Sequence, residues 1–344
     1  METILVLSHP EAGGALAKPA LEVLNAALTL QRSSEGAKLF LGLIGENIQA
    51  AAESVANCAA TKYLGVTGPE FSQPRYATDA AAAEAICKSV RATIVMVPAT
   101  ARWNRVMAGV AQRLGGRIDT HVTAVMVGEG AIAVRRWYYR QRMEAVLVRT
   151  PRPWIIGIDP GALPAGEYVR GPAAVEMISV PLSEAAKRTT VVGVRESAAS
   201  VQTIRPDASL LLVAGAGWTK KQADGQTHLP EAEKIILGFL EASRASLGSS
   251  KSLVDLSGEG QAVLPFLSHL NQIGQTGSTP RHPKGLSTCC HGEEPHTVGW
   301  RFIGERRAIS LDPNCGWARG KADVLYVADA FKVMTTVNAL LTAP

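Results

Sequence analysis

Two stretches in the last third of the sequence carry residue types that could hold a ligand. In Asn271-Gln272-Ile273-Gly274-Gln275-Thr276-Gly277-Ser278, two glycines flank an amide and a hydroxyl with no apolar residue between them to bury. Such a segment suits a bound small molecule, and a surface turn uses the same residues. Earlier, Gly215-x-Gly217 follows the apolar run Leu210 to Val213. Glycines just after a strand let the backbone approach a phosphate, and the next helix N-terminus supplies N–H donors. The third glycine of the dinucleotide fingerprint is missing, so a plain strand-to-helix turn accounts for it equally well. Cys289, Cys290, His291 and His296 are close together, but zinc motifs space their ligands so that they converge, and no metal site is assigned. No acid–base pair or Ser-His-Asp order points to bond-making catalysis.

The elements that must position these residues alternate between apolar runs and alanine-rich segments of helical period. That is the pattern of a parallel sheet covered by helices. Expected strands are 3–7, 38–44, 62–66, 93–97 and 122–127, with helices at 19–30, 48–59, 78–89 and 102–114. From 131 to 179 the pattern reads as antiparallel strands (131–139, 145–149 and 154–158). Residues 183–207 read as a polar linker with one strand-like run at 190–195, and the boundary falls near Ser200. The alternation restarts with a strand at 209–213, a helix at 230–247 and strands at 252–256, 308–311 and 324–327, and closes on a helix at 330–341. Residues 279–295 read as a loop. The fold class is therefore α/β, with two doubly wound parallel-sheet domains (1–200 and 201–344), the N-terminal one bearing a small antiparallel extension.

Composition narrows the function. Hydrophobic residues make up 47% of the 344 and charged residues 19%, which suits a globular protein. The N-terminus lacks a signal-peptide pattern, the longest apolar runs stop far short of the roughly 20 residues of a membrane span, and no stable membrane insertion is expected. Five irregularly spaced cysteines fit a reducing cytoplasm. The net charge of +5 is spread out and aromatics are only 5%, so no nucleic-acid platform is visible. The densest basic and aromatic stretch, Arg135 to Arg142, suits an acidic partner or a solvated strand and turn.

Four motifs in order carry a family resemblance. Gly248-Ser249-Ser250-Lys251-Ser252-Leu253-Val254-Asp255 resembles G-A-S-R-A-A-V-D, and Gln272-Ile273-Gly274-Gln275-Thr276-Gly277 resembles Q-V-G-Q-T-G. Ala308-Ile309-Ser310-Leu311-Asp312-Pro313 resembles A-I-N-K-D-P, and Val327-Ala328-Asp329-Ala330-Phe331-Lys332-Val333 resembles V-G/A-D-L-F-K-V. The chain is similar over nearly its whole length to the alpha subunits of electron-transfer flavoproteins, the FixB-like family.

That resemblance implies FAD held non-covalently by the C-terminal domain, with the ring near a beta subunit, and an N-terminal domain that serves the subunit interface. It places the Thr276 hydroxyl near flavin N5, Gln272, Gly274, Gln275 and Gly277 around the ring and ribityl chain, and Asp329 at the adenosine end. His296 falls by N1 and O2, where reduction adds negative charge that a donor stabilises. Ser250 lies in the motif beside Lys251, which stands where the family stacks an arginine on the flavin and so keeps the charge without the planar fork. His291 replaces a serine and Ser310 an asparagine, while Gly217-Trp218 stands where the family often has Arg-Gly. The implied role is a carrier that takes electrons from a flavin dehydrogenase of fatty acid or amine oxidation and passes them to a quinone oxidoreductase. Two alternatives stay open, a flavin-free scaffold of the same fold and a nicotinamide-dependent oxidoreductase using Gly215-x-Gly217.

Overall fold

The computed structural model describes residues 1–128, 130–138, 143–193, 204–205, 208–255, 263–273, 281–288, 303–315, 318 and 321–343. They fall into two compact units, Met1–Val194 and Arg195–Pro344. The first unit runs β1 (Thr3–Ser8), α1 (Lys18–Arg32), β2 (Lys38–Ile44), α2 (Ile48–Ser54), β3 (Lys62–Val66), α3 (Pro69–Ser72), α4 (Tyr76–Ser89), β4 (Ile94–Pro98) and α5 (Ala101–Arg113). It continues through β5 (Arg117–Gly128), β6 (Ala131–Tyr138), β7 (Met143–Val148), β8 (Trp154–Ile158), β9 (Val175–Met177) and α6 (Glu184–Lys187).

Its nine-stranded sheet has the order β7-β6-β5-β8-β4-β1-β2-β3-β9. The strands from β5 across to β9 pair in parallel, and β5-β6-β7 form an antiparallel extension. The central strands are near-continuous apolar runs because both faces are covered. On one face Val23, Leu24, Ala27 and Leu28 of α1 pack against Ile4, Val6, Leu39 and Leu41. On the other, Ala80, Ala83 and Ile86 of α4 and Trp103, Val106 and Val110 of α5 pack against Leu5, Leu7 and Val95. Thr100 caps α5 by accepting the Trp103 N–H at 3.3 Å. The turn from β1 into α1 requires glycine at Gly14, whose φ is 79° and where a Cβ would stand 2.8 Å from that of Ala50.

The second unit contains β10 (Leu210–Ala214), α7 (Leu229–Ser243), β11 (Ser246–Ser249), α8 (Lys251–Asp255), β12 (His282–Thr288), β13 (Ile303–Ser310), β14 (Val324–Val327) and α9 (Ala330–Leu341). Its sheet is wholly parallel, in the order β11-β10-β12-β13-β14. One face buries Ile236, Phe239 and Leu240 of α7 with Phe331 and Met334 of α9. The other buries Leu211, Val213, Ile273 and Ala308. The fold is α/β with two mostly parallel sheets, the first carrying one antiparallel segment.

The structure corrects four of the expected elements. Trp154–Ile158 is not part of the antiparallel extension; it lies between β4 and β5, parallel to both. The helix expected at 230–247 stops at Ser243 because Arg244 turns left-handed at φ 53°, and Ser246–Ser249 form a strand. The strand expected at 252–256 is helical from 251 to 255, a short apolar run that periodicity alone does not assign. Within the loop expected at 279–295, His282–Thr288 is a central strand; Pro283 is accommodated because it is the second residue of the strand and is passed over in the β13 register, which pairs His282 with Ile303 and Lys284 with Glu305. Residues 190–193 form no strand, and the rest of that run lies outside the described residues.

Candidate functional site

In open parallel sheets, ligands bind beyond the carboxyl ends of the strands, where the strand order reverses. In the second unit that point lies between β10 and β12, since the chain goes from β10 out to β11 and then back across to β12. Ser250 follows the end of β11, Ser310 ends β13, and Asp329 follows β14. Gln272 joins the same edge through an isolated parallel bridge with Ser249. Four of the expected site residues are thus gathered along one sheet edge.

Each is held by local chemistry. The Ser250 hydroxyl accepts the Leu253 N–H at 3.3 Å and caps α8, while the Ser250 N–H donates to Ala214 O at 2.9 Å and ties the β11 end to β10. Gln272 is positioned by the turn before it, where the Asn271 amide donates to Leu247 O at 3.3 Å and accepts the Ser268 N–H at 3.1 Å. The Ile273 N–H then donates to Ser249 O at 3.0 Å. This close approach needs Gly248, because a Cβ there would run into the Ile273 side chain. The Ser310 hydroxyl accepts the Asp312 N–H at 3.2 Å, and Asp329 caps α9 through the Phe331 N–H at 2.9 Å. Lys251 differs, being exposed with its ammonium 3.7 Å from Asp255. Gly274, Gln275, Thr276, Gly277, His291 and His296, and the Cys289-Cys290 pair, lie outside the described residues.

Three features of this edge emerge only from contacts in the fold, although Trp218 stands out in sequence as a departure from the family's Arg-Gly. The fully buried Ser249 hydroxyl has no hydrogen-bond partner among the described residues. The Trp218 indole is fully buried, donates from Nε1 to Thr288 Oγ1 at 2.8 Å, and packs on Phe331 at 4.6 Å between ring centroids. His228 pairs with Asp224 at 2.7 Å and Glu231 at 3.3 Å. The Asp224 hydrogen bond raises the imidazole above its ordinary range, desolvation opposes this, and the carboxylate charges add to the rise. A lone tryptophan directly after Gly-x-Gly was the available signal for the second; the other two depend on contacts distant in sequence.

Gly215-x-Gly217 does not lead into a helix N-terminus. β10 runs into a single 3-10 turn, Ala216–Trp218, and α7 starts only at Leu229. The strand–glycine–helix cradle needed for the nicotinamide alternative is not formed there. In the first unit, His9 after β1 stacks on Trp103 at 4.5 Å and binds Ile44 O through Nδ1 at 2.9 Å. Burial, reinforced by the nearby Arg102 charge, pushes the His9 pKa down to about 3, so the ring is neutral. Among the described residues no group of three acidic, histidine or cysteine side chains could hold a metal ion, and no helix is long and apolar enough to cross a membrane.

Comparison with known proteins gives one informative match: the model of the electron transfer flavoprotein domain aligns with residues 4–199. No curated protein matches the sequence. Among solved structures, the E. coli ADP-heptose LPS heptosyltransferase II is 10% identical, covering 99% of this chain and 98% of its own, with a TM-score of 0.24. The spinosyn rhamnosyltransferase SpnG complexed with thymidine diphosphate is 12% identical, covering 90% and 75%, also with a TM-score of 0.24. Likeness at that level carries no argument about fold or function.

Proposed function

The chain belongs to the electron transfer flavoprotein family, and from that premise we propose that it is the FAD-binding alpha subunit of a heterodimeric carrier. It would take electrons from a flavin dehydrogenase and pass them toward a quinone-linked acceptor, with a beta subunit as its standing partner. The observation that carries the reading is the gathering of Ser250, Gln272, Ser310 and Asp329 along the carboxyl edge of the second sheet. Residues from four separate chain segments converge where parallel sheets bind ligands.

The donor set fits a flavin dinucleotide. Serine hydroxyls, a glutamine amide and a nearby ammonium match a diphosphate, a polyhydroxyl chain and a ring rimmed with hydrogen-bonding atoms. The buried Ser249 hydroxyl beside Gln272, without a partner among the described residues, supports a polar group being bound there. On this reading Ser250, Lys251, Gln272 and Ser310, with Gly274, Gln275, Thr276, Gly277, His291 and His296, hold the ring and chain, and Asp329 holds the adenosine end. The flavin supplies the redox chemistry when bound. The protein's part is to orient the ring, exclude water and set the charge around it. Lys251, which is exposed and only loosely paired, is free to bring its cation to that edge without breaking a buried contact.

The deciding experiment is the visible spectrum of this chain co-expressed with its beta partner, with the released cofactor identified. The expected result is about one FAD per chain, reduced stepwise by dithionite. A colourless but stable complex would make the protein a scaffold, and NADH oxidation by the isolated chain would revive a nicotinamide enzyme.

A further inference from the structure

A buried indole is bonded to a strand end at the point where the strand order reverses in the second sheet. Trp218 closes the turn after β10, and its Nε1–H donates to the Oγ1 of Thr288, the last residue of β12, at 2.8 Å. The Thr288 hydroxyl in turn donates to Val213 O at 3.2 Å, and the Gly215 N–H donates to Thr288 O at 3.0 Å. The Trp218 and Thr288 side chains are both fully buried. The face of the same indole lies on Phe331, at 4.6 Å and an interplanar angle of 54°, and the N–H of Phe331 is the one Asp329 caps. One side chain therefore bonds the end of β12, which is itself bonded to β10 through Thr288, and packs on the first turn of α9.

We propose that Trp218 is a positioning residue of the ligand edge, fixing the end of β12 and the Asp329 turn at one spacing so that a dinucleotide spans them. This rests on the flavin reading above. A second consequence follows from the turn that Trp218 closes. Because Gly215-x-Gly217 forms a 3-10 turn anchored in the core by the indole and does not lead into a helix N-terminus, a diphosphate does not seat on it as it does in dinucleotide folds with an open first βα turn. The ligand instead lies along the sheet edge, over Gln272 and Ser310 and toward Asp329. Specificity for an extended dinucleotide is thereby built into the core packing.

The test uses the full-length chain with its partner and three substitutions. W218F keeps most of the ring packing and loses the donor; T288V keeps the volume and loses the acceptor; T288S keeps the acceptor. Flavin dissociation constant, visible circular dichroism of the bound flavin and its midpoint potential are read beside thermal stability. W218F and T288V should each weaken flavin binding by about two- to tenfold, the range for one buried hydrogen bond, and shift the visible dichroism. The double variant should be no worse than T288V, which removes the Trp218 bond together with the Thr288 bond to Val213 O, and T288S should recover most of the T288V loss. A purely structural role would lower thermal stability while leaving dichroism and potential of the bound flavin unchanged, and that result overturns the assignment. Fully additive effects overturn it as well. A wild-type complex that takes up no flavin overturns the flavin reading itself and this assignment with it, whereas a flavin-loaded wild type matched by W218F and T288V overturns the assignment alone.

Discussion

Replacing Asp119 by asparagine should loosen the antiparallel extension of the first unit at a cost that the structure lets one work out. The Asp119 side chain is 1% exposed and its two oxygens accept four N–H groups. Arg149 contributes Nε at 2.9 Å and Nη2 at 3.0 Å, Arg136 contributes Nη1 at 3.1 Å, and Trp154 contributes Nε1 at 3.0 Å. These donors come from β6, the end of β7 and β8, so one carboxylate on β5 fastens the extension to the parallel sheet. Asparagine has the same shape but keeps one acceptor oxygen and turns an NH2 toward groups that only donate. Two charge-assisted bonds are lost, at about 1.5–3 kcal/mol each. Because Arg149 is partly open to water, about 3–5 kcal/mol is expected, the range for breaking a buried pair. For a unit of this size that lowers the melting temperature by about 6–20 °C, at roughly 2–4 °C per kcal/mol. Burial pushes the carboxyl up, but Arg149, Trp154 and Arg136 outweigh it and hold the pKa below the usual range. The contribution is therefore present above the ordinary aspartate pKa of about 3.9 and lost as pH falls through the depressed value. Differential scanning calorimetry of D119N at neutral pH is the assay. A shift of the first-unit transition under about 2 °C, less than 1 kcal/mol, would refute the account.

Three further outcomes are expected. His228 should titrate above 6.5 by NMR, and Asp224→Asn should return it toward that value; since the folded pKa is raised, the pair's contribution is present in acid and lost as pH rises through it, and a wild-type ring titrating at or below 6.5 sinks the idea. Gly14→Ala should cost more than about 1 kcal/mol in urea unfolding, from the left-handed φ and the contact with Ala50; a neutral result would mean that the turn relaxes. Asp329→Ala removes the cap of α9 and should cost about 0.5–2 kcal/mol, with faster amide exchange across the first turn of that helix; unchanged exchange would show that the cap is dispensable.

What could be read from sequence follows from how local each determinant is. The runs at 38–44, 62–66 and 324–327 are legible as strands because each is a short apolar stretch set between alanine-rich or polar segments in an α/β alternation. His282–Thr288 was illegible because proline, lysine and glycine dilute its pattern; it is a central strand only because β10 and β13 offer it two ladders. Ser246–Ser249 is not legible as a strand, since Ser-Leu-Gly-Ser has a single large apolar residue and its first half continues the helical period before it. At the candidate site, Asp329 follows an apolar run, which is enough to predict a strand end but not which ends are neighbours, whereas Ser250 falls between an expected helix and strand and Ser310 inside an expected strand. The meeting of Trp218 with Thr288, 70 positions apart, is decided by strand order alone.

The placement of β8 between β4 and β5 has a mechanical meaning. Among the described residues the only parallel ladder of β5 is with β8, whose first residue, Trp154, comes 26 positions after the last of β5, Gly128. Until residues 154–158 slot in, β5, β6 and β7 are a ribbon of local pairings with no other ladder to the sheet among the described residues. β8 is thus a zip between two prefabricated halves, and its N-terminal residue is the tryptophan whose indole reaches Asp119. Opening that seam would release the ribbon whole, so hydrogen exchange should report β5 to β7 as one cooperative block, separate from β1 to β4.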